Sequence, residues 1–135
     1  VKHASHTRDG SDNVVVRCTL SDGSVGWGEG VPREYVTGET VDSALDLLAR
    51  SDVLKRLPPC HDFESVVQMM DRFALAPVPD DDRGCRGNAA RCALELAVLD
   101  AYGRAFGEPL MNVTKLAAPS LYRPRERVQY SGIVL

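Results

Sequence analysis

The chain has 135 residues, of which 44% are hydrophobic and 26% charged, with a formal net charge of −3. This is enough for one domain with its own core, without a disulfide or metal staple. The mild acidity argues against a nucleic-acid partner. No apolar run reaches the ~20 residues a membrane helix needs, which argues against a membrane. Cys18, Cys60, Cys85 and Cys92 form no C-x-x-C pair and are too sparse for a disulfide scaffold, so they are read as reduced thiols of a cytoplasmic protein.

The first thirteen residues are a polar lead-in ending on the turn residues Gly10, Ser11, Asp12 and Asn13. The β-branched run 14-VVVRCTL-20 predicts a strand. Ser21-Asp22-Gly23 predicts a tight hairpin turn, because Asp-Gly accepts positive φ. The return strand 24-SVGWGEG-30 alternates, with Val25, Trp27 and Glu29 on one face and Gly26, Gly28 and Gly30 on the other. A strand face made of glycine invites another element to pack against its backbone.

Residues 31–39 carry no apolar period. Thr40 then predicts a helix N-cap, with Asp42 in the first turn and Val41, Ala44, Leu45, Leu47 and Leu48 as an apolar stripe. Leu57-Pro58-Pro59 ends that region. Asp62 is placed to cap a second helix that turns Phe63, Val66, Val67, Met70, Phe73 and Ala74 inward. The loop 77-PVPDDDRGCRG-87 follows. A long helix from about 88 to 106 is apolar nearly all round, so it is expected to be buried on more than one side. In it, Asp100 and Arg104 are spaced for an ion pair. Gly107 and Pro109 end it. Strands followed by helices define an α+β fold: an antiparallel β-meander, then a helical bundle. The chain opens at Val1 and ends on the apolar 128-VQYSGIVL-135, which reads as a lone strand belonging to another structure. Both ends are expected to be cuts in a longer protein.

Several motifs have a plain reading. Gly26 to Gly30 alternate within a strand and do not lead directly into a helix, which removes the phosphate-loop reading. Asp80, Asp81 and Asp82 are adjacent, whereas Ca²⁺ or Mg²⁺ wants converging oxygens from spaced positions. Cys85 and Cys92 lack the second pair a structural zinc needs. Asn112-Val113-Thr114 matches a glycosylation sequon, which a cytoplasmic location makes irrelevant. His3, His6 and Arg8 allow two readings: a solvated lead-in, which the residues alone favour, or a loop that receives an anion through Arg and His donors.

The segments 2-KHASHTR-8, 14-VVVRCTLSDGSVGWGEG-30, 36-VTGET-40 and 94-LELAVLDAYGRAFGEPL-110 resemble the N-terminal capping domain of the enolase superfamily, in its mandelate racemase and muconate-lactonizing branch. The hairpin ending in G-W-G-E and the helix end A-x-x-D-x-x-G-x-x-x-G-x-P-L are the more specific parts. The resemblance implies a three-stranded meander packed on helices, with most of the first strand missing here. It places residues 1–127 in the capping domain and makes residues 128–135 the first strand of a (β/α) barrel absent from this chain.

The resemblance also places the proton-transfer lysines and the Mg²⁺-binding acids in that barrel, so no catalytic or metal-binding residue is expected among these 135. The chemistry it implies is abstraction of a proton α to a carboxylate, with Mg²⁺ stabilising the enediolate, by a racemase, epimerase or cycloisomerase. This domain's expected share is specificity and closure. Two loops, 3-HASHTRDG-10 and 31-VPREYVTG-38, are expected to cover the barrel mouth, with His6, Arg8, Arg33, Tyr35, Val36 and Thr37 as substrate-binding candidates and Ser131 facing the same site. The expected partners are the chain's own barrel, a small carboxylate substrate and further copies of the enzyme in a homo-oligomer. V-T-G-E resembles dipeptide epimerases, and K-x-x-x-H-T resembles muconate cycloisomerases. After Pro109-Leu110 the family continues into a short helix and paired glycines, and 111-MNVTKLAAPS-120 is read as having neither. The rival reading is a stand-alone small-anion-binding or protein-interaction module.

Overall fold

The computed structural model describes residues 2–3, 6–7, 10–127 and 129. Two short strands, β1 (Lys2–His3) and β2 (His6–Thr7), pair antiparallel where the sequence reads as a polar lead-in. Strands β3 (Val14–Thr19) and β4 (Val25–Gly30) pair antiparallel as expected, with Arg17 opposite Trp27 and Val15 opposite Glu29. Gly23 has φ 88° in the hairpin turn, the conformation for which Asp-Gly is suited. The helices are α1 (Glu34–Thr37), α2 (Val41–Arg50), α3 (Val53–Arg56), α4 (Phe63–Arg72), α5 (Asn88–Phe106) and α6 (Asn112–Ala117). The fold is α+β.

The hairpin rests on α5 through its glycines. A Cβ placed on Gly26 would lie 2.3 Å from the carbonyl oxygen of Ala97, one on Gly28 would lie 2.0 Å from that of Ala93, and one on Gly30 would lie 2.0 Å from that of Ala89. The two periods match: two strand residues advance roughly 6.6 Å and four helical residues about 6.0 Å. Every second residue of β4 therefore meets every fourth residue of α5, with the two running in opposite directions. Ala89, Ala93, Ala97 and Ala101 are all buried along this seam. The outward residues of the same sheet are Val15, Arg17, Trp27 and Glu29, with the Arg17 guanidinium over the Trp27 ring.

A second side of α5 carries Leu94, Val98 and Leu99 into a core with Phe63, Val66, Val67, Met70 and Phe73. A third places Ala90 and Ala93 against Val14, Ala44 and Leu47. This is why its apolar residues run nearly all round. Cys92, Leu96 and Phe106 remain exposed.

Both N-cap assignments hold: Thr40 and Asp62 each accept from the backbone N–H of the residue three positions on, Ser43 and Ser65, whose hydroxyls complete the capping boxes. Three sequence expectations need correction. Leu45 is exposed on α2 and Ala74 lies exposed past the end of α4. Residues 112–117 do form a short helix. Its residues show no long stripe, but Asn112 Nδ2 donates to Glu108 Oε2 at 2.6 Å, and Val113 and Leu116 pack on the α4–α5 core. Tertiary packing supplies what local propensity does not. The expected barrel strand at 128–135 lies outside the described residues, apart from Gln129.

Candidate functional site: the 31–40 loop and its anchors

As β4 leaves the sheet, Pro32 is buried and the chain enters the single turn of α1. Four residues cannot hold a helix alone, since nucleation is unfavourable. Here the turn is closed by neighbours. The Thr37 hydroxyl donates to the Arg33 carbonyl at 3.2 Å. Gly38, at φ 76°, ends the turn with its N–H on the Glu34 carbonyl. Arg33, Glu34 and Val36 are exposed, and Tyr35 and Thr37 half-buried.

The next two residues fasten the loop to the body. Glu39 is only 4% exposed and accepts the backbone N–H of Ala89 at 2.9 Å. Helix α5 begins at Gly87 without a side-chain cap of its own. A carboxylate from fifty positions away therefore serves its N-terminus, where negative charge is favoured. Thr40 then caps α2. In V-T-G-E-T, Thr37 closes a turn, Gly38 reverses it, Glu39 anchors it and Thr40 begins the next helix.

The helix-end signature is likewise structural. Ala97 packs against Gly26. Asp100 accepts the backbone N–H of Trp27 at 3.0 Å and the Nε–H of Arg104 at 3.1 Å. A Cβ on Gly103 would meet the Glu108 carbonyl at 2.7 Å, and Gly107 caps the helix at φ 70°. Sequence reasoning missed Glu39 as an anchor, because a lone glutamate in a loop has no spacing to betray a partner so far away.

The structure thus brings Arg33, Tyr35, Val36 and Thr37 together on one turn. His6 lies in β2, and its side chain falls outside what the structure describes, as do Arg8 and Ser131. A cleft of about 450 Å³ lined by Arg56, Cys60, Gln68, Met69, Arg72 and neighbours contains none of these candidates. Burial pushes the Cys18 and Cys60 thiols up, away from the thiolate a nucleophile needs. Among the described residues no group of three or more His, Cys, Asp or Glu could hold a metal ion. The Asp81 carboxylate is taken up by the backbone N–H groups of Cys85 and Arg86. These residues do not fit an Mg²⁺ site. Among the described residues no helix is long and apolar enough to cross a membrane.

The described residues thus present a glycine-floored hairpin seated on an alanine-faced helix, with a fastened surface loop at its end. The N-terminal domain family of mandelate racemase / muconate lactonizing enzyme matches residues 1–114, and the chain belongs to this family, within the enolase superfamily. Similar curated proteins include an L-Ala-D/L-amino acid epimerase of Populus trichocarpa, 30% identical over 79% of this chain and 24% of its own length. A hydrophobic dipeptide epimerase of Citrifermentans bemidjiense is 34% identical over 78% and 26%. An L-Lys-D/L-Arg epimerase of Methylococcus capsulatus is 31% identical over 82% and 28%. The chain therefore spans about a quarter of the length of these relatives. No solved structure matches it.

Proposed function

We propose that this chain is the specificity-setting, site-closing part of an epimerase that acts on dipeptides or related amino-acid derivatives by removing and returning a proton α to a carboxylate. The observation that carries the reading is α1: one exposed turn bearing Arg33, Tyr35 and Val36, fastened at one end by Glu39 and Thr40. Such a turn can lean over a neighbouring site while its root stays fixed, excluding water and touching the distal part of a substrate. The relatives named above are epimerases of dipeptides and amino-acid derivatives, which favours epimerisation over cycloisomerisation.

Arg33 supplies a bidentate donor for an anionic or polar distal group. Val36 supplies apolar contact. His6 and Arg8 are assigned to the companion loop and Ser131 to the facing barrel strand, with residues 128 onward beginning that barrel. The proton-transfer groups and Mg²⁺ are assigned to the barrel. The working form is a cytoplasmic homo-oligomer. The test is incubation of the intact protein with L-Ala-L-Phe in D₂O: deuterium entering one α position with loss of stereochemistry is expected. Absence of exchange across a dipeptide panel, with the protein folded and Mg²⁺ present, contradicts the reading.

A further inference from the structure

We infer that Arg83 is a positioning residue for the lid, holding α1 from the loop 77–87. Its Nη2 donates to the Val36 carbonyl at 3.2 Å, across 47 positions of sequence. That carbonyl lies in the last turn of a helix only four residues long, so it has no partner further along its own helix. A cation there also complements the helix dipole. The loop that presents Arg83 is itself knotted. Asp81 accepts the backbone N–H of Cys85 at 3.1 Å and of Arg86 at 2.9 Å, and its own carbonyl accepts from Gly84. Asp80 and Gly84 both take positive φ to make the knot. The same knot lays the Arg86 side chain against Gly38, where a Cβ would lie 3.4 Å from Nε.

The lid therefore has a root and a latch of different strength. The root, Glu39, is buried on the N-terminus of α5. The latch is one exposed hydrogen bond, weak enough to break and re-form as the lid moves. Arg83 sets how the lid rests without itself touching substrate, and Asp80 and Asp81 take their role from shaping the loop that aims it.

This inference rests on the reading of residues 31–38 as a lid, and its test separates the two. In the intact protein, Arg83→Met should speed amide hydrogen exchange at Val36, Thr37 and Gly38 by roughly two- to tenfold, the worth of about one hydrogen bond. Amides of α2 and α5 should not change, and Arg83→Lys should restore part of the protection. KM for L-Ala-L-Phe should rise several-fold, with kcat changing less. Unchanged exchange at residues 36–38 in Arg83→Met overturns the latch. Faster exchange with KM and kcat both unchanged supports the latch and overturns the lid.

Discussion

The seam between β4 and α5 and the loop carrying α1 are adjacent in sequence and opposite in character. At the seam, backbone meets backbone: glycine hydrogens face the carbonyls of Ala89, Ala93 and Ala97, and the nearest atoms are backbone atoms that cannot swing aside as a side-chain end could. In the loop, side chains point outward and the backbone is held by a handful of hydrogen bonds, of which Glu39 to Ala89 is buried and Arg83 to Val36 is exposed. The contrast teaches that the family's most recognisable residues do packing work. Gly26, Gly28, Ala97, Asp100, Gly103 and Gly107 keep a helix close to a sheet, while Arg33 to Val36, proposed above to face the substrate, need only a fixed root.

The comparison can be broken first at the seam. Gly28→Ala drives a methyl into the Ala93 carbonyl and within 2.5 Å of the Ala97 nitrogen, so β4 must lift off α5. A loss of about 3 kcal/mol is expected in urea denaturation. A change below ~1 kcal/mol would mean that the hairpin shifts freely and that the seam is not rigid.

The root of the proposed lid comes next. Glu39→Ala removes the acceptor from the Ala89 N–H at the uncapped start of α5. A cost of about 1–2 kcal/mol is expected by the same measurement, with faster exchange in the first turn of α5. A neutral outcome would leave α1 without its anchor.

The cap of α4 gives a pH-dependent effect. The Asp62 carboxyl lies below its ordinary value because the Ser65 backbone N–H, and then the Ser65 hydroxyl, bond to it. A depressed carboxyl contributes stability that is fully present above the unfolded pKa and is lost as pH falls through the folded one. The stability gap between the native protein and Asp62→Ala should therefore be constant near neutrality and shrink on acidification below the ordinary carboxylate range. A gap that widens on acidification would contradict the cap. Smallest of all, Gly10→Ala places its methyl in open space and should shift stability by no more than about 0.5 kcal/mol. The same substitution would thus be severe at Gly28 and near neutral at Gly10.

Much of this was legible in the sequence, for physical reasons. Period-two glycines announced a close approach, Asp22-Gly23 announced a turn, and Thr40 and Asp62 announced helix starts, because each is a local geometric demand written in one or two residue types. The all-round apolar pattern of 88–106 announced burial on several sides. What stayed hidden depends on distance. The helix at Asn112–Ala117 packs on a distant core and Glu39 partners Ala89 fifty positions away, while the one-turn helix α1 adds a distant bond from Arg83 to its own local closures. Family resemblance singled out Arg33, Tyr35, Val36 and Thr37, which share one turn with Arg33 and Val36 exposed and Tyr35 and Thr37 half-buried, while spacing alone said only that the chain turns there.

The central claim is that this turn reads the substrate, and one measurement tests it most directly. In the intact protein, kcat/KM should be compared across dipeptides that differ only in the distal residue (anionic, cationic or aromatic) for the native protein and for Arg33→Ala. The account predicts a change of about tenfold or more in the ratio between anionic and aromatic substrates, with Mg²⁺ affinity unchanged. A uniform fall for every dipeptide, an unaltered ratio, or loss of metal binding would contradict it.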